Sequence, residues 1–153
     1  MSTTVADMDA QIESVIEDQG EFAGWHIFPR ESFNRHVGPF YHRIESDAVV
    51  CAFRPSQKNC NGNDMIHGGS LLSFADFSMY VRAQSHYGTR NVVTISMASE
   101  FLGIAQPADL IESRTEVVSA GGSLVVLRGI ITSAQKPVLN YSGTFKRLSA
   151  RER

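Results

Sequence analysis

Hydrophobic and polar positions along the chain change their period several times, and each change marks an element. Val5, Met8, Ile12, Val15 and Ile16 recur at helical spacing, and Asp7, Asp9, Glu13, Glu17 and Asp18 fill the other side up to Gly20. That pattern predicts an amphipathic surface helix. The stretch "GWHIFPRESFNRHVGPFYHRI" is irregular, punctuated by Gly24, Pro29, Gly38 and Pro39, and reads as a lead-in with one short strand around 40–44. "DAVVCAFRP" predicts a strand closed by Pro55 and the turn-rich "SQKNCNGND". Over 70–87 the apolar residues, among them Leu71, Phe74, Ala75, Phe77, Met79 and Val81, cover most of a helix circumference, and Gly88 supplies the stop. Such a helix must be largely buried.

Everything after it reads as strands: "NVVTISMASEFL", "DLIESRTEVVS", "SLVVLRGIITS" and "PVLNYSGTFKRL", rich in Val, Ile, Thr and Phe, with turns at 119–123 and 134–137 short enough for hairpins. In "IESRTEVV" the residues Ile111, Ser113, Thr115 and Val117 face one way and Glu112, Arg114 and Glu116 the other. One wet face implies an antiparallel sheet. A long buried helix and such a sheet have a simple packing solution, in which the sheet curls around the helix as one α+β domain. Its exposed edges favour pairing with a second copy.

Composition narrows the function. With 42% hydrophobic and 20% charged residues over 153 positions the chain suits one globular domain. A net charge of -2 and no basic cluster interleaved with aromatics argue against nucleic-acid binding. Cys51 and Cys60 lack CxxC spacing and are expected as reduced thiols. The first 29 residues contain no Lys or Arg, and no run free of Asp, Glu, Lys and Arg exceeds 11 residues. A leader peptide and a membrane span are therefore not expected, and the expected location is cytoplasmic.

The candidate chemistry sits in "MIHGGSLLSFADFSMYVRA". A helix start leaves backbone N–H groups unpaired, and Gly68 and Gly69 let a polarised carbonyl approach them, as in an oxyanion hole, although glycines there also serve a tight turn. Asp76 has no Lys or Arg at i±3 or i±4. It is either a solvated or locally bonded acid or a general base, a role that a buried carboxylate suits. Gly68 and Asp76 stand about 12 Å apart along the helix axis, too far to flank one carbonyl. A second, antiparallel copy would bring Asp76 of one subunit to Gly68 of the other. His67, Asn61, Asn63 and Thr94 are either structural hydrogen-bonders or further polar groups of the same site.

These residues resemble the signature of hotdog-fold acyl-CoA thioesterases of the phenylacetate-degradation type, in the 4-hydroxybenzoyl-CoA thioesterase-like superfamily. There an Asn, a short turn, His-Gly-Gly and an Asp further along the central helix recur, and the likeness extends over about two-thirds of the chain, 47–148. It implies a hotdog fold of five to six strands around the helix, here with an extra N-terminal helix, and a 1–43 lead-in without counterpart. It implies that Asp76 is the catalytic carboxylate, as general base or nucleophile, that the Gly68 N–H polarises the thioester carbonyl, that His67 and Asn61 assist, and that Thr94 helps hold the attacking water. Assembly as a homodimer, often a dimer of dimers, is implied too. Coenzyme A enters as part of the substrate with no other cofactor, its phosphates seeking cations such as Arg82, Arg90 or Lys136, with Gly69 at the carbonyl. The aromatics Trp25, Phe28, Phe33 and Phe40 either cover the acyl pocket or pack the N-terminal helix, and packing is the expectation. A hydratase or dehydratase on the same fold, or an acyl-CoA-binding protein without catalysis, are the competing readings. A serine hydrolase would need a G-x-S-x-G elbow, and the sequence has none.

Overall fold

The computed structural model describes residues 14–46 and 48–152. Along the chain run β1 (Val15–Ile16), β2 (His26–Ile27), α1 (Phe33–Val37), β3 (Tyr41–Glu45), β4 (Ala48–Phe53), α2 (Gly68–Tyr87), β5 (Val92–Phe101), β6 (Ile111–Ala120), β7 (Leu124–Ser133) and β8 (Lys136–Arg147). All eight strands form one antiparallel sheet in the order β1-β2-β3-β4-β6-β7-β8-β5. The sheet lays its inner face on α2. Val49, Cys51 and Phe53 of β4, Ile111 of β6, Leu127 and Ile131 of β7, and Leu139, Tyr141 and Phe145 of β8 meet Phe74, Phe77, Met79 and Val81 of the helix in one core.

The α2 helix begins at the N-cap His67 and ends at Gly88, whose left-handed φ of 63° lets its N–H reach Gln84 O at 2.8 Å. Ten of its twenty residues are buried. Helix and sheet approach closely at Gly143, where a Cβ would lie 2.9 Å from Met79 Sδ and 2.7 Å from Ser96 O. A side chain there would push helix from sheet. The hydroxyls enclosed between the layers are paired: Ser78 Oγ–H donates to Phe74 O at 2.8 Å, Ser78 and Ser113 hydroxyls meet at 2.6 Å, and Thr115 and Tyr141 hydroxyls meet at 2.6 Å. Both cysteines are free thiols, and complete burial pushes Cys51 up to about 12, so it stays neutral.

The predicted alternation in β6 is present, with Ile111, Ser113 and Thr115 buried while Arg114 and Glu116 are exposed. The β7–β8 hairpin turns on Ala134 and Gln135, at φ of 47° and 67°. Two expectations need correction. Among the described residues the sheet has eight strands, not five to six, because β1 and β2 of the lead-in add to it through the pairs Val15↔Ile27 and His26↔His42. Two-residue strands carry no period that a sequence can display. Of the expected N-terminal helix, residues 1–13 lie outside the described residues, while Val15 and Ile16, placed on its apolar stripe, are exposed and strand-paired. Among the described residues no helix is long and apolar enough to cross a membrane.

Candidate active site

The start of α2 is held from below by Asn59. Its Nδ2–H donates to Val37 O at 2.6 Å, its Oδ1 accepts from Ser56 N–H at 3.0 Å, and its own carbonyl accepts from His67 N–H at 2.8 Å and Ser70 Oγ–H at 3.2 Å. Asn61 shapes the turn before the helix, with Oδ1 accepting from Asn63 N–H at 2.9 Å and Met65 N–H at 3.2 Å. Its carboxamide oxygen is thus spent on the turn.

The donors of the first helical turn can be followed one by one. Gly69 N–H goes to His67 Nδ1 at 2.8 Å, and Ser70 and Leu71 N–H go to His67 O at 2.9 and 3.3 Å. That leaves Gly68 N–H without a partner among the described residues, at the end of the helix where the backbone dipole favours negative charge. The Phe101 ring lies over this position, 3.0 Å from where a Gly68 Cβ would stand. With Nδ1 accepting from Gly69 N–H, the ring N–H of His67 is assigned to Nε2. His67 itself is exposed.

Asp76 lies two turns on, half-buried, on the side of α2 that faces β5. Its Oδ1 accepts from Thr94 Oγ1–H at 2.7 Å. Thr94 points inward because it stands in register with the buried Phe145 of β8. Asp76 opens on a cavity of about 360 Å³ walled by Phe77, Tyr80 and Arg90 and, from the lead-in, by Ile27, Phe28, Phe40, Arg30 and Arg35. Burial raises the Tyr80 hydroxyl above its ordinary range, with Arg90 opposing, so it remains a donor. A larger groove of about 790 Å³ lies on the outer sheet face among β4, β6, β7 and β8. Both of its arginines are held in ion pairs, Arg114 with Glu45 at 3.0 Å and Arg128 with Glu116 at 2.6 Å, and neither Asp76 nor Gly68 lines it.

The structure therefore joins Asp76 to Thr94, joins His67 to Gly69, and brings Arg90 to the Asp76 cavity. It does not bring Gly68 to Asp76 within one chain, since one unbroken helix holds them about 12 Å apart. Arg82 sits half-buried on a later turn near His86 and Lys136 on the exposed β7–β8 hairpin; neither lines the cavity. Sequence reasoning missed Asn59, buried under the helix start, and assigned Phe28 and Phe40 to packing although they also wall the cavity. Phe33 is 66% exposed, and Trp25 lies under the Arg43 guanidinium at 4.3 Å. Among the described residues no group of three or more His, Cys, Asp or Glu side chains could hold a metal ion.

Three comparisons bear on this arrangement. A Pseudomonas aeruginosa protein provisionally named as an esterase is 31% identical over 111 residues, 71% of this chain and 83% of its own length. Among solved structures, the E. coli PaaI protein of the phenylacetic acid degradation operon superposes with a TM-score of 0.70 at 19% identity, covering 80% of this chain and 88% of that one. A hypothetical thioesterase of Streptococcus pneumoniae, solved with coenzyme A, superposes with a TM-score of 0.63 at 19% identity, covering 70% and 86%. These structures share the hotdog fold with this chain. The profile of the thioesterase superfamily matches residues 63–139, the span that holds the α2 start, Asp76, Thr94 and most of the sheet, and the chain belongs to that superfamily.

Proposed function

We propose that the protein hydrolyses acyl-CoA thioesters to the free acid and coenzyme A. The observation that carries this reading is the division of labour on α2: a carboxylate fixed by one hydroxyl beside a cavity, and an unpaired N–H at the helix start. Thr94 occupies Asp76 Oδ1 and orients the carboxylate, leaving the other oxygen for water. Asp76 takes a proton as the water oxygen attacks the thioester carbonyl carbon. The carbonyl oxygen becomes an oxyanion, held by a Gly68 N–H. On collapse the C–S bond breaks and the proton passes from Asp76 to the departing thiolate. The P. aeruginosa relative's name and the coenzyme A of the S. pneumoniae structure support the substrate class.

Both groups serve one carbonyl if two copies pair through β5. Among the described residues this strand is a sheet edge, hydrogen-bonded only to β8, and it exposes Val93, Ile95 and Phe101. In antiparallel self-pairing centred between Met97 and Ala98, Thr94 of one copy lies across from Phe101 of the other. Thr94 carries Asp76 and Phe101 covers Gly68, so the pairing brings the two ends of the site together. The active unit is then a homodimer with two composite sites, and a dimer of dimers follows if the wet sheet faces or the helix faces also meet. The His67 Nε2–H and the Asn61 amide are further donors at the helix start, and the Gly69 position keeps the approach open. Arg90, with Arg30 and Arg35, offers cations at the cavity for coenzyme A phosphates. At about 360 Å³ the cavity is at the small end of ligand pockets, which suits a short or single-ring acyl group.

The test is release of free thiol from acetyl-, hexanoyl-, palmitoyl- and phenylacetyl-CoA, with Asp76→Asn alongside. Release by the native protein, abolished in the variant, is the expected result. Binding without release, unchanged in Asp76→Asn, would replace this reading with acyl-CoA binding alone.

A further inference from the structure

The cavity beside Asp76 ends against Phe28, and behind that ring lies an imidazole with no hydrogen-bond partner among the described residues. His42, on β3, is fully shielded from solvent, and neither of its ring nitrogens makes a hydrogen bond. Phe28 stacks on it with centroids 5.1 Å apart, Phe77 meets it edge-on at 6.1 Å, and His26, itself bonded to Ser14 Oγ at 3.0 Å, lies at 5.5 Å. Two of these three rings, Phe28 and Phe77, are cavity walls.

A neutral imidazole brings one N–H donor and one lone pair, and enclosing both unmet costs stability that a Phe at the same place would not. The buried hydroxyls of Ser78, Ser113, Thr115 and Tyr141 in the same core are all paired. Phe28 is placed to act as a door. It follows the last residue of β2 and precedes Pro29, outside the strand ladder and half-buried, so its ring can turn without breaking a backbone hydrogen bond.

We infer that His42 is the polar terminus of the acyl pocket, reached when Phe28 turns aside, and that it selects acyl groups carrying a hydroxyl near their far end. The inference takes the cavity as the acyl site from the proposed thioester hydrolysis and adds the class of acyl group. A pocket that hydrogen-bonds a substrate hydroxyl discriminates strongly against the analogue lacking it, because its own polar group is then left unmet.

The experiment uses two matched pairs, hexanoyl-CoA with its ω-hydroxy derivative and phenylpropanoyl-CoA with its para-hydroxy derivative. Binding to Asp76→Asn is read by calorimetry and thiol release is read for the protein with Asp76 intact. In at least one pair the hydroxylated member should bind and turn over about ten-fold better or more, and His42→Phe should bring that ratio to about one, with His42→Gln retaining part of it. Equal treatment of both members, the same ratio in His42→Phe, or no binding of any compound overturns the assignment. If His42→Phe fails to fold, the ring 15N resonances of His42 in the native sequence decide: they should move on saturation with the hydroxylated member and not with its partner, and no movement overturns it. A binding preference without thiol release would sink the thioesterase reading and keep His42. Release without preference would do the reverse.

Discussion

Asp76 and Ser78 stand two residues apart on the same helix and live in opposite surroundings. Ser78 is completely buried, donates to Phe74 O at 2.8 Å and shares a 2.6 Å hydrogen bond with Ser113. Asp76 is half-buried, has one side-chain hydrogen-bond partner among the described residues, Thr94, and faces a cavity. Ser78, which belongs to the fold, is paired within it, because an unmet buried partner costs about 1–3 kcal/mol, although the Gln84 carboxamide of the same helix is enclosed without a hydrogen-bond partner among the described residues. A polar group kept for a substrate retains open valence. His42 falls on the Asp76 side of this divide although it is as buried as Ser78, and Gly68 N–H is its backbone counterpart at the helix start.

The contrast is broken most severely at the two open groups. Asp76→Asn keeps the shape and the Thr94 contact but removes the base, and kcat for acyl-CoA hydrolysis is expected to fall by about 10² or more with KM little changed, measured by thiol release. Gly68→Pro deletes the N–H and adds a ring beside Phe101. Proline is tolerated at the first helical position, and His67 at φ -63° and ψ 136° already has the extended conformation a residue before proline requires. A loss of about 10² in kcat with an unchanged melting temperature is expected, the added ring displacing Phe101 slightly.

His42 sharpens the comparison through acid stability. Burial, with His26 adding a little, lowers it from the ordinary 6.5 to about 3. Between those values the unfolded chain binds the proton and the folded chain does not, so stability is full above about pH 6.5 and is lost as pH falls towards 3. One group lost in this way amounts to about 2 kcal/mol by pH 5. Urea denaturation at pH 7 and pH 5 should show that extra loss in the native sequence and not in His42→Phe. Equal losses would mean that His42 is protonated, and therefore partnered, in the folded state.

Smaller effects test the paired side. Ser78→Ala should cost about 1–2 kcal/mol in denaturation, since it strips Ser113 of its partner, while leaving kcat/KM within a few-fold. Thr94→Val should do the opposite, lowering kcat a few-fold by freeing the Asp76 carboxylate while stability changes by about 0.5 kcal/mol or less at this exposed edge. Parallel losses of stability and activity in both variants would erase the distinction between the two groups.

Much of the molecule was legible where the sequence repeats a period. The helix over 70–87 is apolar nearly all round and reads as the buried element it is, and "IESRTEVV" shows its wet and dry faces directly. An Asp without a helical cation partner, downstream of His-Gly-Gly, marked the candidate site. The lead-in was not legible, because β1 and β2 are two residues long and Val15 and Ile16 fit a helical stripe as well as a strand. Nor does any local pattern reveal that Asn59 locks α2 to Val37, that Phe28 reaches the cavity from some fifty residues upstream of Asp76, or that His42 is buried without a partner. Those are facts of tertiary contact.

Subunit mixing tests the two-copy site most directly. Asp76→Asn and Gly68→Pro, each inactive alone, are unfolded together and refolded at equal concentration, and thiol release is measured. If Asp76 of one copy serves the carbonyl polarised by Gly68 of the other, half the dimers are mixed and each holds one intact site, giving about a quarter of the native activity. If the mixture, with mixed dimers verified, stays as inactive as its components, Asp76 and Gly68 of different copies do not share a site, and the composite account is wrong.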